Sequence, residues 1–170
     1  MIKRLLFFIP ILILGCVNIP GNVSPVTGFD IDQYLGTWYE IARLDHSFER
    51  GLEKVTAEYS PRDDGGIKVV NKGFDLKKNR WKETIGKAYF IDDSSVGRLK
   101  VSFWGPFYGA YNIIDLDKEN YSYSLVCGPN KSYLWILARD PHMEESLKSK
   151  LVKMAKDLGF ETEKMIYVSH

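Results

Sequence analysis

Two cysteines and three histidines are all that this chain of 170 residues holds of the side chains that build disulfide frameworks and soft-metal centres. That scarcity excludes a disulfide-stapled scaffold and a Cys-rich zinc site. No His-x-x-x-His or paired-Cys spacing supplies ligands, so neither a metal site nor a cofactor is expected. Charge of one sign is also lacking. The formal net charge is +1, and no basic excess points to nucleic acid. No phosphate-cradling loop stands out: Gly105-Pro106-Phe107-Tyr108-Gly109 lacks the Lys-Ser/Thr pair and the following helix. Asp45, His46 and Ser47 are consecutive, and adjacent side chains cannot converge into a Ser-His-Asp relay. The chain is therefore read as a non-enzyme. What it does hold is aromatic: 4 Trp, 10 Tyr and 9 Phe, which lean toward strands. Hydrophobic residues at 45% and charged residues at 26% fit one globular domain.

The N-terminus departs from that ordinary balance. Lys3 and Arg4 precede an apolar run, Leu5 to Leu14, interrupted by Pro10. Ten residues of helix cover about 15 Å, half of a hydrocarbon core, so the run is too short to span and has the layout of a secretory signal. It ends at Ile13-Leu14-Gly15-Cys16. Aliphatic-x-small-Cys after a signal core resembles the bacterial lipobox. The resemblance implies cleavage of residues 1–15, acylation of Cys16 and anchoring in a membrane by two or more acyl chains. Val17 in place of Asp implies sorting to the outer membrane. Cleavage removes Lys3 and Arg4, which takes the net charge from +1 to −1. Residues 16–28 are then expected to form the lipidated Cys and an uncharged tether with Pro20, Gly21, Pro25 and Gly28. The folded domain occupies 29–170.

Strand signals recur through that domain at Thr37–Leu44, Leu52–Ser60, Ile67–Phe74, Trp81–Phe90, Arg98–Trp104, Ala110–Leu116, Tyr121–Cys127 and Tyr133–Ala138. Turn-rich pieces separate them, which predicts an all-β sandwich or barrel. One helix is expected to start at Asp140-Pro141 and carry Met143, Leu147, Leu151, Met154 and Leu158 on one face. Gly159 stops it, and a short strand, Met165–Val168, follows.

Gly36-Thr37-Trp38-Tyr39-Glu40-Ile41-Ala42-Arg43, after a helical turn at Asp30–Leu35, resembles the opening signature of the lipocalins. Arg139, ending the last strand before Asp140-Pro141, resembles their closing motif. Ile114-Asp115-Leu116-Asp117 departs from the Thr-Asp-Tyr-like turn of the family. With the lipobox, the chain is similar to the bacterial outer-membrane branch of that family. The resemblance implies an eight-stranded antiparallel up-and-down β-barrel with one outer helix and a short final strand. It also implies a barrel facing the periplasm and a role in membrane maintenance under stress. Trp38 would plug the closed end and Arg139 would stack on its indole, a structural pair.

Such a barrel is wide enough for one small ligand. Alternation selects the cavity wall: Val55, Ala57 and Tyr59; Leu99, Val101 and Phe103; Tyr111 and Ile113; Tyr133, Trp135 and Leu137. The first, third, fifth and seventh connections share the open rim. They carry Phe48, Phe107 and Tyr108 as an apolar lip, with Arg50, Lys77, Lys78, Arg80 and Lys131 as cations. An apolar shaft with a cationic rim suits a fatty acid or lysophospholipid. A barrel-based enzyme on a small apolar substrate, or a protein-interaction module presenting Trp104 and Phe107, stand as alternatives. A homodimer is left open, as are chemical roles for Glu40 and Cys127.

Overall fold

The structure, a computed structural model, describes residues 17–170; the expected signal sequence and the expected lipidation site Cys16 lie outside the described residues. A single turn of helix, α1 (Ile31–Tyr34), is capped by Asp30, whose side chain accepts from the Asp32 N–H. Eight strands follow: β1 (Gly36–Leu44), β2 (Leu52–Pro61), β3 (Ile67–Asp75), β4 (Arg80–Phe90), β5 (Arg98–Trp104), β6 (Phe107–Leu116), β7 (Tyr123–Cys127) and β8 (Leu134–Ala138). Each pairs antiparallel with the next, and β1 pairs with both β8 and β2, which closes the barrel. Helix α2 (Glu145–Asp157) and β9 (Met165–Tyr167) complete the chain. β9 pairs with the second half of β1, outside the ring.

Two bodies of apolar side chains result from period-two alternation. On β8, Leu134, Ile136 and Ala138 face outward and meet α2 through Leu151 and Ala155. Trp135 and Leu137 face the barrel interior with Trp38, Tyr59, Leu99 and Ile113. Burying a side chain of Leu or Ile size on either face contributes about 1.5–3 kcal/mol.

The closed end is sealed at Trp38, which is fully buried. The Arg139 guanidinium lies 4.1 Å from its ring centroid. The same guanidinium donates to the carbonyls of Gln33, Leu35, Thr37 and Tyr121. One planar fork thereby ties α1, β1 and the β6–β7 turn together. The departure from the family's middle motif is local. Asp117 accepts from the N–H groups of Glu119, Asn120 and Ser122, and Tyr121 takes the left-handed conformation at φ 51°.

Three expectations change. The helix starts at Glu145, not at Asp140-Pro141, because the Asp140 carboxylate accepts the N–H of His142 and is used up in a turn. β6 begins at Phe107, so the β5–β6 connection is only Gly105-Pro106. Residues 17–28 are not a free tether. Val26 donates its N–H to the Ile113 carbonyl and accepts from the Gly97 N–H, Val23 is buried, and Ile19 packs against the outer apolar cluster. The segment gains from apolar contacts that its lack of charge permits.

Candidate ligand cavity

The barrel encloses an inner cavity of about 110 Å³ that adjoins a wider mouth of about 670 Å³. Phe48, Glu49, Val55 and Trp135 border both. Of the selected wall residues, Val55, Ala57, Tyr59, Leu99, Val101, Phe103, Tyr111, Trp135 and Leu137 line the inner cavity. Tyr133 lines only the mouth. Ile113 is fully buried in the interior packing and borders neither space. Phe29, Tyr34 and Val69 also line the inner cavity and were not singled out from the sequence.

The floor is a chain of hydroxyls. Tyr59 and Tyr34 each lie 2.8 Å from the Tyr111 oxygen, and Tyr34 donates to Ser124. Burial pushes the Tyr34 phenol up to about 12 and raises Tyr59 and Tyr111 as well, so all three stay protonated.

A second polar group sits in the wall. Glu40 and Arg43 would face opposite sides of a regular strand. A register shift between Glu40 and Ala42 turns both inward, and they are 3% and 1% exposed. Arg43 donates to the Glu40 carboxylate at 2.5 Å and to the carbonyls of Glu49 and Leu52. The Glu49 carboxylate lies 3.0 Å from His46 Nε2 and accepts from the Trp135 indole at 3.1 Å. Burial, and then the nearby Glu49 charge, lift Glu40 to about 8 despite Arg43. The guanidinium thus holds the Glu40 carboxylate but only the backbone carbonyl of Glu49, and near neutral pH Glu40 carries a proton. Alternation alone could not find Arg43, because the bulge carries no sequence mark, nor Glu49, which lies in the β1–β2 connection and not on a strand.

The rim differs from its expected composition. Phe48 is exposed and stacks on His46 at 3.9 Å, Phe107 is exposed, and Tyr108 lies 5.2 Å beneath the Lys100 ammonium. All three aromatics border the mouth. None of Arg50, Lys77, Lys78, Arg80 and Lys131 does. Arg50 is tied to Asp45 by hydrogen bonds of 2.7–3.2 Å, which hold the Asp45 carboxyl below its usual range. Lys131 lies along the helix end, its Nζ 2.9 Å from where a Gly159 Cβ would stand. Lys77, Lys78 and Arg80 are exposed at the β3–β4 turn. The cations bordering the mouth are Lys72 and Lys82, and Lys82 is bridged to Asp75 at 2.8 Å.

Residues 29–170 match the lipocalin-like domain family. The chain is a lipocalin. This lipocalin is 55% identical over 158 residues to the outer membrane lipoprotein Blc of Vibrio cholerae, covering 93% of this chain and 92% of that one. The protein of the same name from Escherichia coli is 54% identical, over 88% of this chain and 84% of its own. By these relatives the lipocalin is a lipid-anchored protein of the outer membrane. Among solved structures, insecticyanin from the tobacco hornworm Manduca sexta superposes with a TM-score of 0.71 at 19% identity, over 90% of this chain and 87% of that chain, which speaks for the fold.

Proposed function

We propose that this lipocalin binds, stores or carries single-chain acyl lipids, a fatty acid or a lysophospholipid, at the outer membrane from the periplasmic side. The observation that carries the reading is the continuity of an apolar inner cavity with a mouth of ligand size. The acyl chain enters between Leu99, Val101, Phe103 and Trp135. Each buried methylene contributes about 0.8 kcal/mol. The polar head stays at the mouth near Lys82, because the Glu49 carboxylate at the junction repels a second carboxylate from the shaft. Acylation at Cys16 supplies the anchor, and turnover of loose acyl lipids supplies the role in membrane maintenance under stress. A binding role, rather than an enzymatic one, is favoured by Glu40. Its carboxyl is engaged by Arg43, and the Glu49 carboxylate by His46 and the Trp135 indole, so among the described residues both carboxyls at the cavity are already held.

Native mass spectrometry of protein isolated from cells should find one acyl lipid per barrel, displaced by added fatty acid. Trp135→Ala should weaken acyl binding by about 10- to 100-fold through lost packing. No co-purifying lipid together with no displacement of a fluorescent fatty acid would sink the reading.

A further inference from the structure

We infer that the outer face of the β5–β6 hairpin is a membrane-docking surface, which seats the barrel in the headgroup layer of the leaflet that holds its anchor. The inference rests on acylation at Cys16, as proposed above. Trp104 is 79% exposed and Phe107 is 62% exposed, at either side of the Gly105-Pro106 tip. On the same hairpin, Lys100 extends over the Tyr108 ring. Trp and Tyr with flanking Lys are the residues that settle where hydrocarbon meets headgroups, since each has an apolar body and a polar tip. Exposed rings of this size at a hairpin tip are costly in water and gain from partial insertion.

The course of the N-terminal segment selects a bilayer as the occupant. The Val17 carbonyl accepts from Arg98 at 3.2 Å, and the Asn18 carbonyl lies 3.4 Å from the Asn112 amide nitrogen. Arg98 and Asn112 are opposite one another on β5 and β6. The chain therefore leaves the barrel on the flank of this hairpin, and Cys16 is the next residue. From Asn112 to Phe107 the strand rises about 17 Å. An acylated Cys16 thus brings the bilayer surface within reach of the aromatic tip. Charge agrees with this. Lys100 faces the anionic surface, and Arg98 adds to it although Asp92 offsets it at 2.9 Å. Docked in this way, the mouth opens toward the leaflet, and an acyl chain can pass between membrane and cavity without crossing water.

The test uses the full-length protein, processed in cells and reconstituted into vesicles of phosphatidylethanolamine and phosphatidylglycerol. A polarity-sensitive fluorophore is attached at Phe107→Cys and, as a control, at Lys118→Cys in the exposed β6–β7 turn of the closed end. The expected result is a blue shift and quenching by shallow spin-labelled lipids at 107 and neither at 118. Lys100→Glu, outside the cavity lining, should slow transfer of a fluorescent lysophospholipid from vesicle to barrel about tenfold. Its affinity for the same probe in vesicle-free solution should stay unchanged. Trp104→Ser should reduce the blue shift at 107. A fluorophore at 107 that reports water, or transfer unaffected by Lys100→Glu, would overturn docking. Shielding at 107 without quenching by lipid would assign the face to a second copy or another protein and overturn it too. Intact mass of the wild-type protein keeps the two readings apart: an unacylated Cys16 removes the anchor, whereas an acylated one with a wet hairpin removes only the docking.

Discussion

Glu40 shows what one misfit residue costs and where that cost appears. Its carboxyl ionises near 8 in the fold and near 4.5 when unperturbed. Between those values the native state holds a proton that the unfolded chain has lost, so stability falls as pH rises through that window and levels off above it. Glu40→Gln stays neutral throughout. Its unfolding free energy relative to wild type should therefore climb between about pH 5 and pH 8, at up to about 1.4 kcal/mol per unit. Urea midpoints across that range measure the slope. A difference that stays flat would mean that Arg43 keeps Glu40 ionised and that burial is the weaker effect. Cys127 has no comparable consequence: burial lifts its thiol to about 12, so it stays a small inert core residue.

At the scale of elements, the cavity depends on glycines as much as on its lining. A Cβ at Gly86 would stand 2.7 Å from the Phe103 ring and 2.8 Å from the Ser102 carbonyl. The carbonyl belongs to β5 and cannot yield, so Gly86→Ala should drive the ring inward across the shaft. We expect weaker fatty-acid binding with a stability loss of about 1–3 kcal/mol. Titration with a fluorescent fatty acid, alongside thermal unfolding, checks both, and unchanged affinity would show that Phe103 has room to move elsewhere. Strand order, closure and the inward phase of β5 and β8 were legible in the sequence: Leu99-x-Val101-x-Phe103 alternates with polar residues, and on β8, apolar on both faces, Trp135 and Leu137 share the phase of Arg139, which must reach Trp38. What was not legible depends on partners. The β1 bulge that turns Arg43 inward and the β2 register shift, with Lys54 at φ 51°, exist only through pairing with neighbours. Arg50 and Lys131 could be placed near the rim, but not on Asp45 or along the helix end. The start of α2 failed for a similar reason, since Asp140 can cap a turn as readily as a helix.

For the whole molecule, the decisive relation is between the anchor and the barrel. Residues 17–28 lie along the barrel wall, so the distance between the proposed anchor point and the cavity is set by structure and not by a random coil. A flexible tether of a dozen residues would let the mouth sample positions roughly 20 Å from the surface. The packed segment removes most of that freedom, and with it the need for a ligand to leave the bilayer's vicinity. The arrangement works only if Cys16 bears the lipid. Metabolic labelling with an alkynyl fatty acid should tag the wild-type protein and fail to tag Cys16→Ser, because no other cysteine among the described residues is exposed. Mature wild type should sediment with outer membranes through two or more chains, whereas one chain would hold it only reversibly. Label that persists in Cys16→Ser, or a wild-type N-terminus cut elsewhere than before residue 16, would detach the anchor from this position. The short path from acyl chain to mouth would then lose its basis, even with the barrel and its cavity intact.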